Sequence, residues 1–181
     1  MTLSELKEHL YDIAAEHFSG YQVIWGQANA VRPGLPYATL RVISDAQSTH
    51  PNYENDGGAL IASYPSRAVL EVNVFTVTAG DAAGAVAQRP NTALDALNAF
   101  AAKIGSPQSI AKLYALDIGM LPMGGARDLS GLVGGNAWEY RAMAEFECSY
   151  TQYAYGENAA PDMAGAVNGW FESVEITRRN T

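Results

Sequence analysis

Histidine and cysteine are nearly missing from this chain. Its 181 residues hold one cysteine, Cys148, and three histidines, His9, His17 and His50. One cysteine excludes an internal disulfide and fits synthesis in a reducing compartment. Metal centres need His, Cys or carboxylates clustered at ligand spacing. The histidines are scattered, so no metal and no cofactor is expected. Positive charge is scarce too, with 11 Lys and Arg against 19 Asp and Glu, a net charge of -8. That balance argues against a protein whose task is to grip phosphates, which needs a basic face. It still permits one that lets DNA slide past without sticking. No apolar run approaches the ~18 residues of a membrane span. Met1 to Glu5 has neither the basic nor the apolar stretch of an export signal, so no membrane partner is expected.

The remaining composition, 48% hydrophobic and 17% charged, belongs to a folded globule. Its length suits one domain with a proper core, and residues 1–181 are read as that single domain. Thr2 with Glu5 reads as a capping box, opening a helix whose apolar stripe is Leu6, Leu10, Ile13, Ala14 and His17. Val23 to Trp25 is a short strand. Pro33 and Pro36 force an extended run into a strand from Tyr37 to Ser44. Residues 45–58 are polar and read as a long hairpin loop or arm. Ala59 to Tyr64 and Arg67 to Thr78 read as two strands. On the second, Leu70, Val72, Val74 and Thr76 share one face, opposite Val69, Glu71, Asn73, Phe75 and Val77.

Further along, Asp81 to Gln88 reads as a short helix. Thr92 with Asp95 caps another, stopped by Gly105, and Ser106-Pro107 opens one or two further turns. Leu113 to Met120 reads as a strand. Residues 122–136 are glycine-rich and read as a loop. Trp138 to Thr151 alternates almost without a break, with Trp138, Tyr140, Ala142, Ala144, Phe146, Cys148 and Tyr150 on one face. Residues 157–169 read as a linker and Trp170 to Thr177 as a last strand. Helix, strands, helices, strands is the order of an α+β fold. A mainly antiparallel sheet with the N-terminal and central helices packed on one face is expected.

No grouping of residues carries chemistry. His17 edges an apolar stripe and reads as a core histidine. Asn52 to Gly57 has the outline of a calcium loop, but position twelve, which needs a bidentate Glu, is Ser63. The glycines at 124–125 and 131–135 lack the Lys-Ser/Thr of a phosphate loop. No serine sits in a nucleophile elbow, and Cys148 lies inside a strand without a neighbouring base. Glu71, Glu139, Glu145 and Glu147 read as a solvated or interfacial sheet face. Arg32, Arg41, Arg67 and Arg141 lie near strands, where they would fix neighbours through bidentate bonds to carboxylates. Trp138, Tyr140, Phe146 and Tyr150 read as core rather than a base-stacking platform. A small enzyme using strand carboxylates is the competing class; it requires two carboxylates with displaced pKa values in one concave site.

Three runs, in order, resemble one family. Arg32-Pro33-Gly34-Leu35-Pro36-Tyr37-Ala38-Thr39-Leu40-Arg41 looks like the RPxLPYxTLR signature of the neck and tail-terminator proteins of tailed bacteriophages. Arg67 to Thr76 is similar to a strand of that family that follows an Arg and ends near an aromatic. Asp128-Leu129-Ser130 upstream of Trp138-Glu139-Tyr140-Arg141-Ala142 is similar to its DLS and WExRA elements. The resemblance spans roughly residues 20 to 177. It implies a small α+β protein of the virion neck, made in the bacterial host cytoplasm. Such a protein forms a ring, commonly a hexamer, that caps the tail tube, stops its growth and offers a docking surface to the head connector. Its implied partners are copies of itself, the tail tube protein, the sheath and the head–tail connector, with DNA passing through the lumen unbound. A head-completion protein of the neck is the near alternative. The family carries no catalytic residues. The interface is expected on the loops, at Asp45, His50, Tyr53, Glu54, Asp56, Arg127, Asp128 and Asn136.

Overall fold

The computed structural model describes residues 1–26, 32–56, 59–77, 91–133 and 137–153. Helix α1, Leu3–His17, opens with the expected capping box. The Glu5 N–H donates to Thr2 Oγ1 at 3.2 Å and the Thr2 N–H donates to Glu5 Oε2 at 2.6 Å. This satisfies two amides that the first turn leaves without partners. Leu6, Leu10 and Ala14 recur at helical spacing and are buried. Strand β1, Gln22–Trp25, follows, and then β2, Tyr37–Gln47, entered through the cis Leu35–Pro36 peptide. Strands β3, Asn52–Asp56, and β4, Ala59–Val77, come next.

Helix α2 spans Thr92–Ile104. Its cap is Asn91 rather than Thr92: Asn91 Oδ1 accepts the Leu94 N–H at 3.0 Å. Thr92 is instead the first helical residue, and its hydroxyl pairs with that of Thr76 at 2.6 Å. Helix α3, Pro107–Ala115, is capped by Ser106, as the Ser-Pro pair implied, but runs nine residues. It takes up the start of what reads as a strand at Leu113, so β5 begins only at Ile118 and ends at Pro122. Asp117, at φ 56°, makes the reversal between them. Short strands β6, Arg127–Asp128, and β7, Gly131–Val133, precede the long β8, Ala137–Tyr153.

The fold is α+β with one mixed sheet in the order β1-β2-β4-β8-β5; β3 also pairs with β4, and β6 and β7 with β8. Among the described residues only β1 and β2 run parallel; the other pairings are antiparallel. The helices cover one face. There Ala38, Leu40, Leu70, Val72, Val74, Ala142, Ala144, Phe146 and Cys148 are buried. Phe100 of α2 meets Phe146 edge-on at 5.3 Å and Phe18 at 5.1 Å. Burial pushes the Cys148 thiol up to about 12, so it is a packing group and no nucleophile.

Several local readings change. Strand β4 is continuous through Pro65, where the sequence suggests two strands. The Pro65 carbonyl accepts the Ser48 N–H at 2.9 Å, so its missing N–H faces the same side. That is the gap in which the pairing edge passes from β3, ending at Asn52↔Ser63, to β2, beginning at Gln47↔Ser66. No ladder donor is needed there. The expected long loop at 45–58 is accordingly replaced, over the described residues 45–56, by strand and a bend. β2 runs on to Gln47, a bend follows, and β3 lies along the same edge of β4. Polar side chains suit this strand because it is an edge, where charge discourages further pairing. Residues 122–136 likewise contain β6 and β7, because the long β8 offers a free row of backbone groups that glycine-rich backbone can follow. Residues 81–88 and 157–177 lie outside the described residues, as does Asn136.

Candidate assembly surfaces

The second sheet face is not covered by the described helices, and it carries a grid of paired charges. Alternation along β4 and β8 puts Glu71, Asn73 and Phe75 beside Glu145, Met143 and Arg141. Glu71 and Glu145 stand directly opposite, a like-charge pair that is unfavourable alone. Arg41 on one side reaches Glu71 at 3.4 Å, and Arg127 on the other reaches Glu145 at 3.6 Å. Arg67 lies 3.7 Å from Glu147, and Arg32 pairs with Glu139. Asn73, only 4% exposed, is the centre of the grid. Its Oδ1 accepts from Arg141 Nη2 at 2.9 Å and Nε at 3.3 Å, and its Nδ2 donates to Glu71 Oε1 at 3.0 Å. Arg141 also lies 5.1 Å above the Phe75 ring, which stacks on Tyr37 at 4.4 Å. Individual exposed ion pairs contribute little, but a cross-braced set fixes side chains in a defined relief.

The loop residues expected to form the interface divide. A bulge between Val42 and Ser44 adds one residue to β2 and leaves Ile43 exposed. One added residue moves every later side chain to the opposite face. Asp45 therefore turns to the helix side, where it accepts the Tyr150 hydroxyl at 2.8 Å. It anchors the fold, although its side chain remains reachable by solvent. His50 closes a turn; its N–H donates to Ser48 Oγ at 3.2 Å. Tyr53, Glu54 and Asp56 sit on β3, opposite Ala62, Ile61 and Ala59. Arg127 and Asp128 are on β6, away from β3 along the other edge. The Ser130 hydroxyl and N–H both donate to Asp128 Oδ1, at 2.5 and 2.9 Å, and hold its carboxyl below the usual range. Thus the seven of these residues that are described do not converge on one place.

Sequence reasoning anticipated the arginines and glutamates but not their partners within the chain. Strand register, which pairs Glu71 with Glu145, was the missing signal. Two lysines also escaped notice. Lys103 of α2 and Lys112 of α3 both reach Glu16 of α1, Lys103 at 3.8 Å. They rim a small cavity of about 30 Å³ floored by Ile13, Phe100, Ile104 and Leu113. His17 lines it as well, packed on Phe18 and Phe100, and burial lowers its pKa as expected of a core histidine.

The 30 Å³ cavity is too small for a metabolite. A wider groove of about 390 Å³ lies over Gly119 and Ser149, bounded by Arg67, Tyr114 and Asp117. It brings a single carboxylate, not an acid–base pair. The displaced carboxylates, Glu5, Glu16 and Asp128, are all shifted downward by hydrogen bonds, the reverse of a general acid. Among the described residues no His, Cys, Asp or Glu cluster is placed to hold a metal ion. No helix among them is long and apolar enough to cross a membrane.

The described sheet thus has one face packed by helices and the other carrying braced charge. The phage neck terminator protein family matches residues 4–169, and the chain belongs to that family. Its role is accordingly structural, in the neck and tail of a tailed phage. No curated protein matches the chain.

Proposed function

We propose that this protein is a ring-forming tail terminator. Copies associate side by side, most simply as six, and cap the last ring of the tail tube. The cap halts tube growth and presents a docking surface to the head connector. Membership of the neck terminator family over residues 4–169 carries this reading. The charge grid supports it, since a fixed relief of paired Arg and Glu gives register and partner choice more than raw affinity. Head-to-tail contacts whose rotation closes give a ring, not a filament. The net charge of -8 suits a lumen that passes DNA without binding its phosphates.

The test is a phage lacking this gene. Uncapped tails of uncontrolled length, unjoined to filled heads and corrected by supplying the protein in trans, are expected. Tails of normal length from that phage contradict the proposal. A head-completion protein would instead leave tail length unchanged and bind portal or adaptor, so capture on purified tail tubes against purified connectors separates the two.

A further inference from the structure

We infer that copies of this chain meet helix to sheet: the acidic outer ridge of α1 on one copy lies against the arginine heads on the charged sheet face of the next. This contact presupposes the ring proposed above and supplies its seam. The sheet face carries the first half. In each of its ion pairs the arginine stands outward and the glutamate lies beneath. Side-chain exposure is 47% for Arg32 against 11% for Glu139, 59% for Arg41 against 16% for Glu71, 73% for Arg67 against 38% for Glu147, and 63% for Arg127 against 26% for Glu145. The outermost layer of this face is therefore positive, on a chain whose net charge is -8. A guanidinium has five donors in a fork, so one engaged from below can still take a second carboxylate from above. The excess is small, because each of these arginines already faces a glutamate. That suits a protein carboxylate rather than duplex phosphate, which needs unneutralised cations.

The helix layer carries the second half. Glu8 lies two residues from both Leu6 and Leu10, and Asp12 two from both Leu10 and Ala14. Each therefore projects roughly 160° away from the buried stripe. Both are exposed, and neither has an ion-pair or hydrogen-bond partner among the described residues. The neighbouring acids differ: Glu5 is held by Thr2, and Glu16 by Lys103 and Lys112. Glu8 and Asp12 stand about 6 Å apart along the axis. Tyr11 is 37% exposed beside them, and Leu121, opposite Glu147 on the charged sheet face, is 68% exposed. An aromatic with arginines is a usual composition for an interface core. The 15 residues of α1 run about 22 Å. That spans the ~14 Å from β2 to β6, three strands apart, which separates Arg41 from Arg127. Ridge and arginine layer lie on opposite sides of the subunit, so they cannot meet within one copy. Their contact is heterologous, the kind that passes from copy to copy until a ring closes.

Full-length protein is compared by sedimentation velocity and native mass spectrometry, with circular dichroism reporting folding. Glu8→Lys with Asp12→Lys touches no bond within the described chain. It is expected to fold and to weaken self-association at least about tenfold, as like charges then meet at the seam. Mixed with wild type, that variant is expected to end runs of copies early, because it still accepts a neighbour's ridge but offers none. Arg41→Gln with Arg127→Gln removes the facing charges and is expected to weaken assembly likewise. Where the arginine variant fails to fold, carboxyl footprinting of wild type gives the answer: Glu8 and Asp12 labelled several-fold more slowly in the assembly than in dilute monomer support the seam, and equal labelling overturns it. An arginine variant that assembles normally but loses binding to duplex DNA also overturns it and assigns the face to nucleic acid. A wild-type ring indifferent to the α1 variant removes the seam and leaves the ring. Wild-type protein that stays monomeric at its highest soluble concentration removes the ring itself.

Discussion

Asn73→Ala is the sharpest probe of the charge grid. Asn73 is 4% exposed and makes three hydrogen bonds, two from Arg141 and one to Glu71. Bonds to charged partners contribute about 1.5–3 kcal/mol each. The total here is smaller than the sum. Both Arg141 bonds end on one oxygen, Arg141 keeps its place over Phe75, and Glu71, at 16% side-chain exposure, regains some water. A loss of about 2–3 kcal/mol is expected. For a chain of this size each kcal/mol lowers Tm by about 2–4 °C, so the melting point should fall by roughly 5–10 °C. Urea unfolding followed by circular dichroism reads it as a lower midpoint with an unchanged slope. Asn73→Asp supplies a second check. The new carboxyl still accepts from Arg141 but confronts Glu71, so the variant is weakest near neutral pH. Its deficit should shrink as pH falls toward about 4 and the carboxyl gains a proton to donate. An Asn73→Ala stability within about 0.5 kcal/mol of wild type refutes the reasoning and reduces the grid to independent surface pairs.

Tyr150 is raised to about 12, first by burial and then by its bond to Asp45. Its folded value lies above the free value, so its contribution is complete below pH ~10 and lost as pH rises through 12. Tyr150→Phe should remove that alkaline loss, seen as a flatter profile of unfolding free energy from pH 9 upward, at about 1 kcal/mol cost near neutrality. Phe146→Ala empties a fully buried site against Phe100 and should cost about 3–5 kcal/mol in the same urea assay. Asn91→Ala removes the cap of α2 and a 3.1 Å bond to Ser130 Oγ; a loss of about 1 kcal/mol is expected, with Asn91→Asp recovering the cap.

Local, self-contained signals were legible in the sequence. Thr2 with Glu5 named the start of α1 because both halves of the capping box lie within four residues. The alternation from Trp138 to Thr151 gave β8, since one face lies on the helices and the other is polar. Signals that depend on a distant strand were hidden. The bulge at Ile43 is visible only as a slip against Val69 and Leu70, and without it Asp45 reads as part of a loop. Pro65 breaks a strand by propensity but is tolerated in a gap between two partners. The glycines of 122–136 suggest freedom, yet β8 supplies a ladder for β6 and β7. Asn91 and Thr92 are both good caps, and the hydroxyl of Thr76 draws Thr92 into the helix. As for the surfaces, Glu71 and Glu145 are 74 positions apart in the chain, and only their register makes Arg41 and Arg127 necessary.

The margins of the sheet have a bearing on safety from runaway growth. On one flank β1 offers four residues; on the other, β5, β6 and β7 are fragments of five, two and three. Among the described residues neither of these rims gives a long, flat template on which a stray chain could crystallise into fibre. The described backbone thus leaves little for a passing chain to extend, and contact with other proteins falls to the side chains.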